Sequence, residues 1–215
     1  MLNIMFVSDY VCPYCLVAKE VLKKALEITG LEADITWQPF ELTEEPNPRV
    51  DTCHDEVRKA RYQVLVEPCA ALGLDMKLPP VVCPRPYTRL AFEGWYYACK
   101  KGKGDLYNDL IYRSYFIDEK DIGDIEILTE LAKTVGLDGA EFKQVLECGV
   151  YTQIEKEAVS FAKDVLEIKG VPTIYLNGNK ISFSKFTVEE MVGILQKELV
   201  SQENAAFSCG VDGCH

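Results

Sequence analysis

The pair of cysteines in Cys12-Pro13-Tyr14-Cys15 constrains the fold more than any other feature of the chain. The apolar run LNIMFVS at residues 2–8 precedes it and suits a buried central strand. Pro13 suits the first turn of a helix, where its missing N–H costs nothing. Apolar residues then recur at helical spacing as far as Gly30. The pattern therefore predicts that the cysteines lie where a buried strand leads into a helix N-terminus.

This position determines the chemistry expected of Cys12. Unpaired backbone N–H groups and the helix dipole favour negative charge at a helix N-terminus. The thiolate is the nucleophile in disulfide exchange. Cys15 lies about one turn further on, within reach of Cys12. We predict that Cys12 attacks and that Cys15 resolves the mixed disulfide.

Half of a zinc site and plain core packing are the alternatives for this motif. A zinc site needs a second pair of ligands at suitable spacing, and the remote pair, Cys209 and Cys214, lies in the tail. A proline at a helix start argues for an exposed helix end rather than for a core position.

The remaining pattern contains few strands and many helices. A second strand is predicted over 33–42, with Pro39 near its end, and a hairpin over TIYLNG and KISFS with its turn at 177–179. The predicted helices cover about 54–72 with a bend at Pro68, 87–101, 104–117, two short segments capped by Asp124 and Asp138, 151–167, and 188–199 capped by Thr187.

This order, βαβ, then a helical block, then ββα, predicts an α/β fold with a large helical insertion. The sheet domain is expected to be discontinuous, over 1–50 and 168–200, with the insertion over 51–167. A flexible tail that contains cysteines is expected over 201–215. Because the flanking strands belong to one sheet, the two ends of the insertion must lie close together.

Val171-Pro172 is the second element of the predicted site. A proline directly before a strand at a sheet edge suggests a cis bond. It has no N–H to donate and leaves an open backbone edge beside the cysteines. The alternative is an ordinary proline at the start of a strand.

Five segments in order, SDYVCPYC, WQPFEL, RLAFEGWYYACKKG, IEILTELAKTVGLD and GVPTIYLNG, resemble the FrnE-type members of the DsbA branch of the thioredoxin superfamily. The resemblance covers about residues 3–199. It implies a thioredoxin-like fold and a thiol–disulfide oxidoreductase that uses Cys12 and Cys15, with cis-Pro172 beside the substrate groove. Val171 would accept main-chain hydrogen bonds from a bound peptide and help to set the redox potential.

The same resemblance implies the partners. Protein or small-molecule disulfides and dithiols would be the substrates, with Pro13 and Tyr14 among the residues that contact them. A thioredoxin or glutathione system is the candidate for recycling, and no cofactor is expected. Whether the chain oxidises, reduces or isomerises its substrates stays open, because this depends on relative thiolate stability and on the recycling partner.

Two other functions remain as hypotheses on the same fold. A glutathione-dependent transferase or isomerase is the second hypothesis, because the fold alone does not exclude it. Kappa-type glutathione transferases and hydroxychromene-carboxylate isomerases resemble this chain but usually carry serine where Cys12 stands, so its two cysteines place it with the redox group. The third is a metal-binding or client-holding module that uses the acidic helical block.

The C-terminal segment contains another cysteine pair, Cys209-Gly-Val-Asp-Gly-Cys214, followed by His215. Its two glycines allow the pair to close into a disulfide. The pair resembles a tail motif of some FrnE-type members, which implies a secondary redox pair that exchanges electrons with the first. The alternatives are a soft metal held by two thiolates and His215, or inert thiols.

The other cysteines are irregularly spaced. Cys69 and Cys99 fall on apolar helix faces and are predicted to be core residues. Cys53 and His54 could form a reactive pair, but a charged helix start is the preferred interpretation.

Composition excludes some functions. The net charge of −11 disfavours binding to a phosphate backbone, so no nucleic-acid partner is expected. No run of about 18 apolar residues is present, so no membrane span is expected. The first residues lack a positively charged region, and we therefore expect no signal peptide and a cytoplasmic location.

Overall fold

The computed structural model describes the backbone of residues 1–209 and the side chains of residues 1–200. A four-stranded mixed sheet forms one layer, in the order β2-β1-β3-β4. Its strands are β1 (Leu2–Ser8), β2 (Ala33–Pro39), β3 (Thr173–Leu176) and β4 (Asn179–Lys180). The central strand β1 runs parallel to β2 and antiparallel to β3.

The helices flank this sheet and form the block between β2 and β3. They are α1 (Pro13–Thr29), α2 (Glu56–Tyr62), α3 (Val66–Leu72), α4 (Arg89–Lys100), α5 (Gly104–Phe116), α6 (Ile125–Thr134), α7 (Gly139–Glu147), α8 (Thr152–Ser160) and α9 (Val188–Cys209). A 3₁₀ turn (Gln63–Leu65) joins α2 to α3, and α8 continues into a π turn (Phe161–Val165). The α/β fold with a large helical insertion, predicted from the sequence, is confirmed.

Local signals predicted the ends of several elements correctly. Gly30 ends α1 in the left-handed conformation, at φ +64°. The Asp124 carboxylate accepts the N–H groups of Glu126 and Ile127 at the start of α6. Asp138 caps α7, and the Thr187 hydroxyl accepts the Glu190 N–H at 3.2 Å near the start of α9. These ends depend only on contacts within one helical turn.

Four predicted boundaries were wrong. The second strand ends at Pro39 rather than at residue 42. KISFS is not a strand beyond Lys180, although the Ile181 N–H still donates to the Ile174 carbonyl. The predicted 54–72 helix breaks at 63–65, which leaves Pro68 in the first turn of α3, where no N–H is needed. The last helix continues past residue 199 to Cys209, so the tail predicted from 201 begins as helix.

Two large cores meet at the first helix. One packs a single face of β1 and β3 against α1 and α9, and it includes Phe6, Val21 and Leu195. The other fills the helical block and also contains the first turn of α1, with Tyr10, Cys12 and Cys15 among its members. The cysteine motif is thus part of the core of the insertion. Over residues 1–209, no helix is long and apolar enough to cross a membrane.

Gly94 of α4 provides a test of this packing. A methyl group at position 94 would clash with the Tyr107 hydroxyl and lie 2.7 Å from Cζ of Phe142. We expect Gly94→Ala to destabilise the protein by about 1–3 kcal/mol, the usual cost of overpacking. Gly193 of α9 is the matched control, because a methyl group there meets nothing within 4 Å.

Urea unfolding of both variants measures the difference. Gly193→Ala should be neutral or more stable by up to about 1 kcal/mol, since alanine favours helix. Equal effects of the two substitutions would contradict the close approach of α4 to α5 and α7.

Candidate active site

Cys12 is the N-cap residue of α1, directly after the turn that leaves β1. Its backbone is extended, at φ −94° and ψ 111°, and Pro13 is the first helical residue. The Cys12 N–H donates to the Asp9 carbonyl at 3.1 Å, and the Cys12 carbonyl accepts the Cys15 N–H at 3.0 Å. These bonds hold the thiol at the positive end of a 17-residue helix.

The two thiols of the motif differ in accessibility. Cys12 is 4% exposed, whereas Cys15 is fully buried. Burial, together with the neighbouring Cys12 thiol, raises the pKa of Cys15 well above its ordinary value. Cys15 is therefore held as a neutral thiol behind Cys12, which leaves Cys12 as the sulfur at the surface side of the pair.

Val171 and Pro172 lie against the motif. The Val171–Pro172 peptide bond is cis. The Cys12 thiol donates to the Val171 carbonyl at 3.5 Å, across 159 residues of sequence. The structure therefore brings together Cys12, Cys15 and the predicted proline at one end of the sheet.

Pro13 and Tyr14 attach the motif to its surroundings. Pro13 is buried, and the Tyr14 hydroxyl donates to the Arg61 carbonyl at 2.8 Å. The Tyr14 ring lies 5.5 Å from the ring of Phe186 and 6.2 Å from that of Tyr62. Tyr14 thus links α1 to α2 and to the segment before α9.

Asp9 is a buried residue of the site that sequence analysis missed. Its carboxylate accepts the Leu42 N–H at 2.7 Å and so connects the turn before Cys12 to the segment that follows β2. Burial raises the pKa of Asp9, while the Leu42 hydrogen bond and the Arg85 charge oppose the rise. The only signal in the sequence was an acidic residue between an apolar strand and the cysteines.

Three more carboxyl groups form a cluster with that of Asp9. Glu41, Glu93 and Glu155 are all buried. Glu93 is paired with Arg89 at 2.6 Å and accepts the Thr152 hydroxyl at 2.9 Å. Glu41 and Glu155 lie close enough for each negative charge to disfavour the other.

Burial and this proximity raise both acidic pKa values. The pKa of Glu41 is raised to about 9, by burial first and then by the negative charges of Glu155 and Asp9. The pKa of Glu155 is raised to about 7, mainly by burial, with Glu93 adding to the rise. The pair therefore holds a proton at neutral pH. The negative charge of Asp9, at the near end of this cluster, also disfavours the Cys15 thiolate.

The remaining predicted cysteines have different outcomes. Cys69 is buried, as predicted. Cys99 is exposed in the last turn of α4, so its prediction as a core residue was wrong. His54 hydrogen-bonds Asp51 at 2.9 Å and does not pair with Cys53. The pair Cys209 and Cys214 stays a prediction, because the Cys209 side chain and residues 210–215 lie outside the described residues.

Comparison with known proteins assigns the family. Residues 3–196 match the DSBA-like thioredoxin domain, and the chain belongs to this family. A curated relative is the uncharacterized protein YwbO of Bacillus subtilis (strain 168). It is 39% identical over 180 residues, which are 83% of this chain and 88% of YwbO.

Two solved structures share the fold. A probable DsbA oxidoreductase, SCO1869 of Streptomyces coelicolor, is 24% identical, with a TM-score of 0.76, 92% of this chain covered and 89% of that one. A 2-hydroxychromene-2-carboxylate isomerase is 16% identical, with a TM-score of 0.73, 95% of this chain covered and 98% of that one. At these identities the likeness concerns the fold alone.

The carboxyl pair makes stability depend on pH with a definite sign. A folded-state pKa above the unfolded value of 4.5 means that the folded chain binds more protons between about pH 4.5 and 9. Stability therefore falls as pH rises through this window. Glu41→Gln keeps the size of the side chain and removes one of the two titrating groups of the pair. We expect this variant to gain stability over wild type with rising pH, by up to about 1.4 kcal/mol per pH unit.

Denaturant unfolding of both proteins at a series of pH values measures this difference. Glu67→Gln, at an exposed position on α3, is the control and should track wild type. A Glu41→Gln difference that is constant between pH 5 and pH 9 would contradict a protonated carboxyl pair.

Proposed function

We propose that the chain is a thiol–disulfide oxidoreductase in which Cys12 attacks and Cys15 resolves. The observation that carries the proposal is the position of Cys12. It caps the N-terminus of α1, with its sulfur 3.5 Å from the Val171 carbonyl and with Cys15 buried behind it. A helix N-terminus stabilises the thiolate that exchange requires.

The reaction balances through one mixed disulfide. The Cys12 thiolate attacks one sulfur of a substrate disulfide and releases the other sulfur as a thiolate. Cys15 then loses its proton and attacks the Cys12 sulfur, which releases the first substrate sulfur and leaves a Cys12–Cys15 disulfide. The substrate gains two electrons and the motif loses two. Burial keeps Cys15 protonated during the first step, so the two thiols do not compete for the substrate.

The backbone beside Pro172 is the proposed contact for a substrate chain. Pro172 has no N–H to donate, the Val171 carbonyl lies 3.5 Å from the Cys12 sulfur, and Tyr14 follows Cys12 by two residues. Protein or small-molecule disulfides and dithiols are the proposed substrates, and a thioredoxin or glutathione system is the proposed partner for recycling. We place the reaction in the cytoplasm, where thiols are kept reduced, and the chain in the FrnE-type subgroup.

Serine substitutions separate the two thiol roles. Cys12→Ser should abolish insulin reduction, because a hydroxyl is not appreciably ionised at neutral pH and does not attack sulfur. Cys15→Ser should instead accumulate a mixed disulfide with the substrate, visible by mass spectrometry. Cys148→Ser, at an exposed thiol after α7, is the control and should keep wild-type activity.

Two results would contradict these roles. One is normal turnover by Cys15→Ser. The other is a mixed disulfide on Cys15 in the Cys12→Ser variant.

The pair Cys209 and Cys214 is proposed as a secondary redox pair. Tethering to the same chain raises its effective concentration at the first pair, into the millimolar range for short flexible links. Removal of residues 208–215 should therefore slow the return of the Cys12–Cys15 disulfide to the dithiol. The exchange is stopped at successive times by thiol alkylation, and mass spectrometry of these samples gives the rate. An unchanged rate would contradict the assignment.

The glutathione-dependent transferase or isomerase hypothesis has less support. The isomerase structure shares the fold, and fold alone does not carry activity. Position 12 here is a thiol with a second thiol behind it, which the exchange reaction uses and a transferase does not need. The metal-binding and client-holding hypotheses for the acidic block stay predictions.

A further inference from the structure

Three metal-binding side chains meet outside the cysteine motif. Asp51 and Cys53 lie between β2 and α2, and Cys83 lies in the segment between α3 and α4. Their ligand atoms, one carboxylate oxygen and two sulfurs, are all within 4.8 Å of one another. The Cys83 thiol donates to Oδ1 of Asp51 at 3.0 Å. Two separate loops thus bring together two thiols, which soft cations prefer, and a carboxylate, which zinc also accepts.

The spacing of these atoms suits a tetrahedral ion. A zinc ion with bonds of about 2.3 Å to sulfur places two sulfur ligands about 3.8 Å apart. Closing the present cluster to that geometry needs movements of the order of 1 Å. Cys53 is only partly buried and Cys83 is exposed, so an ion can reach both sulfurs from solvent.

The carboxylate is already oriented by a second layer of hydrogen bonds. Oδ1 of Asp51 accepts the N–H groups of Cys53 and His54, both at 3.0 Å. The His54 ring bonds Oδ2 at 2.9 Å. Hydrogen bonds from the Cys83 thiol and from His54 lower the pKa of Asp51, so the group is ionised. Such outer partners fix the direction of a ligating group.

Binding of a divalent cation would release the thiol protons of Cys53 and Cys83 into solvent, because the thiolate is the ligating form. Binding should therefore become stronger as pH rises.

We propose that Asp51, Cys53 and Cys83 bind a thiophilic divalent cation of the zinc class, with a fourth position left to water. His54 acts as a positioning residue for the Asp51 carboxylate. The ion would tie the 51–54 segment to the loop of Cys83, two residues before Arg85. Since the Arg85 charge faces Asp9 beside the cysteine motif, the ion would stabilise one wall of the active site. This inference is independent of the exchange reaction.

Zinc binding to the reduced, full-length chain tests the proposal. Affinity is measured by competition with a chromogenic chelator, and Co²⁺ serves as a second probe because thiolate ligands give it a charge-transfer band. Cys53→Ser/Cys83→Ser should weaken zinc binding by more than about 100-fold, and His54→Gln by about 10–100-fold. Cys148→Ser should bind as wild type does.

Zinc on other thiols of the chain is the competing outcome. Binding that survives Cys53→Ser/Cys83→Ser but is lost in Cys12→Ser/Cys15→Ser or Cys209→Ser/Cys214→Ser would overturn the proposal. Alkylation of the wild-type chain gives a measurement that does not depend on a variant's folding. Zinc should protect Cys53 and Cys83 from iodoacetamide and leave Cys148 reactive, and equal labelling with and without zinc would also overturn it.

Discussion

The burial of the turn before α1, together with the first turn of α1, in the core of the helical insertion is the contact on which the site depends. Tyr10 packs on Phe92 of α4, with ring centroids 4.5 Å apart, and on Tyr112 of α5 at 4.9 Å. Aromatic pairs at such distances contribute beyond the area they bury. The strand–helix unit thus supplies the cysteines, and the insertion fixes their surroundings, so neither part forms the site alone.

Cys12 and Cys15 lie in different electrostatic surroundings. The N-terminus of α1 favours negative charge at Cys12, whereas burial and the carboxylate of Asp9 disfavour it at Cys15. The Arg85 charge opposes the rise in the pKa of Asp9 that burial causes. Cys15 is thus held as a neutral thiol behind Cys12, as the proposed sequence of attack followed by resolution requires.

Much of the fold could be predicted from the sequence because its signals are local. The strand before Cys12, the helix that Gly30 ends and the caps at Asp124 and Asp138 each depend on residues within a few positions of one another. The break at 63–65 and the shortness of β4 depend on packing between elements, which periodicity does not report.

The site was predicted in part for the same reason. The cysteines and the proline before β3 carry local signatures, and their roles stay proposals. The buried Asp9 with Arg85, and the meeting of Cys53 with Cys83, join residues from separate loops. Only the folded chain brings such pairs together, and no spacing in a single sequence encodes them.

The antiparallel pairing of β1 with β3 has a consequence for how the chain is made. Asn3 and Asn177, which are 174 residues apart, hydrogen-bond across this pairing at 3.0 Å. Synthesis proceeds at about 5–20 residues per second, so β3 is made roughly ten to thirty seconds after β1. During that interval the first two cysteines have left the ribosome without the Val171 carbonyl beside them. The nascent chain therefore exposes the Cys12 and Cys15 thiols to cellular oxidants and chaperones before its own fold buries them.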